Sequence, residues 1–319
     1  MKGMIFMGKK DTLTKQYVSD NTIFADICNY YIYGGKNVIL PEHLHPLDIN
    51  ESITLDQAND SVWTVEKQRD VIKYASIDDT AYLVIGIENQ SDVHYAMPVR
   101  TMLYDALQYT SQIKEKATAV QNNTTKKTGT EYISGLKNND ALIPVVTIVL
   151  YFGSTPWDGP RSLHQMLSNA SPEVLQYVSN YEIQLITPQE LSDEELAMFR
   201  SNLQQVLKFI KYQKDKEKMN ALMHSADYTS LDKSAIRVIN EFAHLKLKPK
   251  YIDEEESDMC QAWDEHYEDG RNEGIEIGIS KERKEMAVAL LKKKIMPLSE
   301  IAELTKLPLE EIEALQKAI

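Results

Sequence analysis

Two carboxylates sit where they could do chemistry together: Asp70, and Glu88 in the triplet Glu88-Asn89-Gln90. Each lies in a strand-like run, 62–75 and 82–88, with the polar stretch Ser76-Ile77-Asp78-Asp79-Thr80 between them. A hairpin turning at Asp79 sets Asp70 opposite Glu88, with Cβ atoms roughly 5 Å apart. Like charges that close repel unless a cation lies between them. An all-oxygen pair suits Mg²⁺ (or Mn²⁺), which keeps several waters and accepts a phosphate oxygen. Such an ion polarises a phosphoryl group and generates a hydroxide for attack. The same spacing also fits two exposed strand carboxylates in ordinary surface pairs. Alternation along the strand puts Gln90 on the same side as Glu88.

The elements that must position this pair can be read along the chain. Apolar residues at helical spacing (Ile23, Ile27, Tyr30, Tyr31) predict a helix over 21–33, stopped by Gly34-Gly35. Val38-Ile39-Leu40 reads as a short extended piece, followed by the hairpin. Pro98 opens a helix to about residue 116, with Val99, Met102, Leu103, Ala106 and Ile113 as the expected inner face. Arg100, Tyr104 and Gln108 recur every fourth residue on that helix. They read either as a row of donors for DNA phosphates or as a solvated stripe, Arg100 being the better match to phosphate geometry. The run 145–151 is continuous and β-branched, as in a central strand covered on both faces. A further strand is expected over 181–186, and a helix from Asp193 behind the capping box Ser192…Glu195.

Asp70, Glu88-x-Gln90 and the helix Met97-Pro98-Val99-Arg100-Thr101-Met102-Leu103-Tyr104-Asp105-Ala106-Leu107-Gln108-Tyr109 together resemble the Rpn-type recombination-promoting nuclease and transposase family, within the PD-(D/E)xK nuclease superfamily. Phe24-Ala25-Asp26 with Asn29, the strand Val149-Leu150-Tyr151-Phe152-Gly153, and Trp157-Asp158-Gly159-Pro160 followed by Leu163 extend the resemblance. It implies an α/β restriction-endonuclease-like core, a mixed sheet flanked by helices in the order αβββαβ, and a metal-dependent DNA endonuclease. Asp70 and Glu88 match the metal ligands, and Asp26 the acidic residue sometimes contributed by the first helix. Gln90 stands where the superfamily usually has lysine. An amide can orient water or phosphate but brings no positive charge. Arg69 stands where the motif has proline.

Composition bounds these readings. With 35 Lys+Arg against 48 Asp+Glu the net charge is −13, unfavourable for coating nucleic acid. Over 250–271, however, nine acidic residues face two basic ones, so the deficit is concentrated there. The stretch 112–137 is net basic through Lys114, Lys116, Lys126, Lys127 and Lys137, and reads as a plain or a DNA-gripping loop. Two distant cysteines exclude a disulfide framework or a cysteine-rich zinc site and suit the cytoplasm. No leader is visible in the first 15 residues, and the most apolar run, 142–152, is too short to span a membrane. His43-Leu44-His45 has no further metal partner, and Ser154 and Ser162 near His164 lack an acidic orienter.

The chain is expected to divide into an N-terminal tail (1–16), a nuclease-like domain (17–212), a helical extension (213–249), an acidic, glycine-spaced linker (250–280) and a C-terminal helical tail (281–319). Gly270, Gly274 and Gly278 make a homo-oligomer through the tail plausible on close-approach grounds. Two short amphipathic helices, 298–304 and 309–315, look like a helix-turn-helix. Glu310, Glu311 and Glu313 would repel phosphates, so protein contact or intramolecular docking is expected of them. The competing function is a catalytically weak or inactive nuclease-fold protein, acting as a protein-interaction module through this tail.

Overall fold

The computed structural model describes residues 9–56, 62–78, 80–122 and 129–319. Two helices open the chain, α1 (Lys9–Ser19) and α2 (Asn21–Tyr33). Asp20 caps α2 by accepting from the Thr22 and Ile23 amides. Gly34, at φ 60°, ends it in the left-handed conformation that glycine adopts without penalty. Val38 and Ile39 do not form a strand, because both amides donate to the Asn29 side chain and the Ile39 carbonyl accepts from it.

The strands β1 (Leu44–Pro46), β2 (Asn50–Asp56), β3 (Val62–Gln68), β4 (Val71–Ile77) and β5 (Thr80–Gln90) follow. The expected run 62–75 is in fact two strands broken at Arg69-Asp70. β2 and β3 pair only with each other, while β4 joins the main sheet. Arg69 is fully buried, which takes the chain out of β3 and into the interior. β4 and β5 form the expected antiparallel hairpin, with Val71 opposite Ile87 through to Ala75 opposite Leu83. That register continues to Asp70 opposite Glu88. A bulge between Ala75 and Ser76 shifts the pairing only beyond that point. Asp79 itself lies outside the described residues.

Helix α3 (Met97–Asn122) crosses the sheet and the short α4 (Gly129–Ser134) follows it, leading to β6 (Val145–Tyr151). Lys126 and Lys127 lie outside the described residues. Single-turn helices α5 (Leu163–Met166) and α6 (Pro172–Leu175) precede β7 (Gln184–Ile186). The sheet order is β1-β4-β5-β6-β7, antiparallel from β1 to β5 and parallel from β5 to β7. The fold is therefore mixed α/β, and β6 is buried as its composition predicts.

Helices dominate the rest: α7 (Asp193–Leu196), with the capping box of Ser192 and Glu195 in place, α8 (Leu203–Tyr212), α9 (Lys216–Met223), α10 (Lys233–Ala243) and α11 (Pro249–Asp253). The small strands β8 (Leu231–Asp232) and β9 (Glu256–Ser257) clip α10 to the start of α12 (Met259–Lys293). One hydrophobic core runs from Tyr17 to Ala262, so residues on both sides of position 212 share it. The stretch 259–280, read from sequence as linker, is helical within α12. Helices α13 (Leu298–Thr305) and α14 (Leu309–Lys317) close a separate small core with the end of α12, through Ala287, Leu291, Ile301 and Ile312. No helix among the described residues is long and apolar enough to cross a membrane.

Gly86 on β5 has a specific job. A Cβ there would lie 2.1 Å from the Arg69 guanidinium, so only glycine lets that side chain cross the sheet face. Gly274 in α12 has open space around it. Gly86→Ala should therefore destabilise by about 1–3 kcal/mol through overpacking. Gly274→Ala should stabilise by up to about 1 kcal/mol through helix propensity. Urea denaturation midpoints of the two variants, moving in opposite directions, test the assignment.

Candidate active site

Glu88 lies on the sheet face covered by α3 and is completely buried. Its Oε2 accepts from the Arg100 guanidinium at 3.0 Å, while Oε1 has no hydrogen-bond partner among the described residues. Asp70, at the mouth of β4, is half-buried, and its Oδ2 accepts the Asn89 amide at 2.9 Å. The Asp70 amide in turn faces the Glu88 carboxylate. The hairpin thus does bring the two carboxylates together.

The electrostatics follow from that placement. Burial, with the Asp70 charge added, pushes Glu88 up to about 8 against the opposing pull of Arg100 and Arg69. Asp70 is also raised, chiefly by burial. The Asn89 amide, Arg100 and Lys15 oppose that rise, and Asp11 adds to it. Asp11 and Lys15 belong to α1, which the sequence reading had assigned largely to a tail. Asp11 is held by the Ser91 hydroxyl at 3.1 Å, just past the end of β5.

Beneath Glu88 a second charged group is buried. Arg69 donates to the Thr147 hydroxyl at 2.9 Å and to Asp105 at 3.4 Å, and its guanidinium lies 4.9 Å from the centre of the Tyr104 ring. Asp105 also accepts from Thr147 and from the Tyr181 hydroxyl, each at 2.5 Å. The Tyr104 hydroxyl accepts from Arg100 Nε at 3.1 Å. Tyr104 therefore stands between the two arginines, with both cations near its ring.

The helix α3 is turned differently from the sequence expectation. Val99 and Met102 are exposed, whereas Thr101, Tyr104, Leu107 and Gln108 are buried. The middle of the sheet face beneath carries Gly86, Glu88 and Thr147, with the buried Arg69 lying against it, so the polar side of α3 packs inward there. Tyr104 and Gln108 hold the sheet and are not placed to meet a duplex, while Arg100 stays partly exposed. Gln90 is nearly buried, and its amide donates to the Asn89 carbonyl at 2.8 Å. Asp26 is not part of the group. Its carboxylate accepts the Arg200 and Ser201 amides and the Ser201 hydroxyl, which pins the approach to α8. Those contacts use both of its oxygens, so in this structure Asp26 serves as a cap for the segment leading to α8.

The donor set at the site is two adjacent carboxylates, one of them with an orphaned buried oxygen. Among the described residues no group of three or more His, Cys, Asp or Glu side chains converges. A pair of this kind fits a divalent ion that fills its remaining positions with water and phosphate oxygens. Arg69, Asp105, Thr147 and Tyr181 were not identified from sequence. The one available signal was Arg69 standing where the motif has proline.

The metal-free protein should show the cost of Glu88 directly. In the unfolded chain this carboxyl titrates near its ordinary value of 4.5, and in the folded chain near 8. Between those values the folded state holds a proton that the unfolded state has lost. Stability should therefore fall as pH rises from about 4.5 towards 8, by at most about 1.4 kcal/mol per unit. Glu88→Gln should flatten that slope, measured by urea unfolding in chelator across the range.

Comparison with known proteins agrees with this frame. No curated protein sequence and no solved structure gives a match. The profile of the family described as "Putative transposase, YhgA-like" matches residues 60–237, more than half of the chain, from the β2–β3 hairpin into α10. The matched segment carries Asp70, Glu88, Arg100 and strands β4 to β7 of the sheet that holds them. The chain belongs to the YhgA-like transposase family.

Proposed function

We propose that this protein is a metal-dependent DNA endonuclease of the transposase, recombination-promoting type, hydrolysing phosphodiester bonds with Mg²⁺ or Mn²⁺. The observation that carries the reading is the juxtaposition of Asp70 and Glu88, with Glu88 Oε1 buried and unpartnered. Leaving such an oxygen unsatisfied costs about 1–3 kcal/mol or more, an arrangement a native site keeps for a purpose. The family supports DNA as the partner.

The element order supports the fold side of the proposal. Setting aside the β2–β3 hairpin, the elements α2, β1, β4, β5, α3 and β6 follow the order αβββαβ. The carboxylates then stand on the central hairpin, as in a restriction-endonuclease-like core.

Roles follow from placement. Asp70 and Glu88 would hold the ion, which when bound supplies Lewis-acid activation of the phosphate and a nucleophilic hydroxide. Arg100 donates to Glu88 Oε2 in the metal-free chain and stays partly exposed, where it could also meet a phosphate. Gln90, two residues beyond Glu88 on the same strand, is the group to orient water or phosphate. Glu88 must lose its proton to act as a ligand, so metal binding should release protons and strengthen with pH.

The test is nicking of supercoiled plasmid by the full chain with Mg²⁺ or Mn²⁺. Asp70→Ala and Glu88→Ala should each reduce cleavage by about 10²–10³-fold. Cleavage that persists undiminished in both variants defeats the assignment.

A second reading, an interaction module acting through the tail, is favoured by α12. Residues 267–279 of that helix are exposed all round, including Tyr267, Ile275, Ile277 and Ile279. Self-association through this stretch predicts a dimer by light scattering that Ile277→Asp converts to monomer. A wild-type monomer at all concentrations would remove oligomerisation from the proposal.

A further inference from the structure

Three cations bear on the carboxylate pair, and two of them are already engaged. Arg69 is fully buried and bonded to Thr147 and Asp105. Arg100 donates to Glu88 and to the Tyr104 hydroxyl. The third, Lys15 of α1, is partly exposed and forms no hydrogen bond or ion pair among the described residues. Its helix lies ahead of residues 60–237, the segment that matches the family.

The placement of Lys15 follows from how α1 is seated. Thr14, Tyr17 and Val18 are buried, which sets one side of the helix on the core. Two anchors then fix it along the sheet. At its start Asp11 accepts from the Ser91 hydroxyl at 3.1 Å, one residue past Gln90. At its end the Ser19 carbonyl accepts from Lys73 of β4 at 2.6 Å. Antiparallel pairing puts the end of β5 beside the start of β4, so a helix held at Ser91 and at Lys73 passes Asp70 between them. Lys15 is midway between the anchors, one turn from Asp11 on the same face of α1. Its charge accordingly acts on Asp70, against the effect of burial.

A lysine that served only to balance Asp70 would sit in contact with it. Lys15 makes no such contact, and its three donors ride on a flexible four-carbon stem. The strand cannot supply this group, because Gln90 is neutral and its amide is turned to the Asn89 carbonyl. We propose that Lys15 is a catalytic residue of this site, reaching from α1 to a non-bridging oxygen of the scissile phosphate and offsetting the charge that builds there. This assignment rests on the nuclease reading above. In the hydrolysis, the water oxygen bonds to phosphorus as the bond to the leaving sugar oxygen breaks. The proton given up by the water is matched by one that the leaving oxygen takes up from solvent. Lys15 transfers no proton and acts on the phosphoryl oxygen alone.

The full chain is tested in two ways. With Mn²⁺ and saturating plasmid, Lys15→Gln should slow nicking by about 10²-fold, the scale of one lost transition-state donor. Lys15→Arg should stay within about tenfold of wild type. Lys317→Gln, an equal loss of charge at the exposed end of α14, should nick at the wild-type rate. The Tm of Lys15→Gln should stay within about 2 °C of wild type, since no bond is lost. The second measurement needs no turnover. In chelator and in an Asp70→Asn background, which removes one repelling carboxylate, binding of a fluorescent DNA duplex is titrated with salt. Adding Lys15→Gln should make the dependence of log Kd on log salt shallower by about 0.9, the effect of one phosphate contact, and Lys15→Arg should not. Wild-type nicking in Lys15→Gln, where Asp70→Ala is inactive, overturns the role of Lys15 and leaves the nuclease reading standing. Absence of nicking in wild type removes both. An unchanged salt dependence in Lys15→Gln, a Lys15→Arg chain as slow as Lys15→Gln, or equal slowing in Lys317→Gln also overturns the proposal.

Discussion

The arrangement depends on ionisable groups taken out of water beneath one helix. Glu88 and Arg69 are both fully buried on the sheet face under α3. A buried ion is tolerated only when partners replace its hydration. For Arg69 those partners are Thr147 from β6, Asp105 from α3 and the ring of Tyr104. For Glu88 the partner is Arg100, one turn before Tyr104. These contacts tie β5, β6 and α3 to each other through polar groups, whereas the opposite face of the sheet is held by an apolar core. Loss of one partner would leave a charge stranded, so the network fixes how α3 is rotated over the strands.

That rotation explains which parts of the molecule were legible in the sequence. The β4–β5 register was, because the position of the turn fixes which residues face each other along the hairpin. The polarity of the turn between Ser76 and Thr80 marked where it reverses. The orientation of α3 was not. Its apolar residues pointed to Val99 and Met102 as the inner face, a rule that assumes a greasy surface beneath the helix. The surface under α3 carries Glu88, Gly86 and Thr147, so Tyr104 and Gln108 turn inward. Periodicity cannot report the chemistry of the opposing face.

Other parts of the reading miss for related reasons. Asp26 reads as a ligand because an acidic residue on a first helix matches the family pattern. Its partners, the Arg200 and Ser201 amides, lie some 174 positions away and leave no local trace. α1 reads as a tail because Lys-Lys-Asp-Thr-Leu-Thr-Lys-Gln is mostly polar. The polar residues are nonetheless used, Asp11 and Lys15 towards Asp70 and Gln16 towards a cavity between α1, α2 and α10. A helix whose polar residues are used on two faces has little hydrophobic signal to offer. The acidic stretch 250–271 was visible as charge but not as structure, since three glycines argue against the long helix that takes in its second part, from Met259 on.

The electrostatics around Asp70 also bear on the missing lysine. Position 90 holds an amide turned towards the neighbouring carbonyl, so β5 itself contributes no positive charge. Positive potential reaches the carboxylates from outside the strand: Arg100 in direct contact with Glu88, Arg69 beneath it, and Lys15 across from Asp70. These cations come from three separate segments, α3, the β3–β4 break and α1. A site built this way can lose lysine from the strand and still hold a developing negative charge, because field depends on distance and burial and not on which element supplies it. Arg100, partly exposed, is tied to Glu88 Oε2, so whatever draws one of the two groups away leaves the other to be satisfied anew.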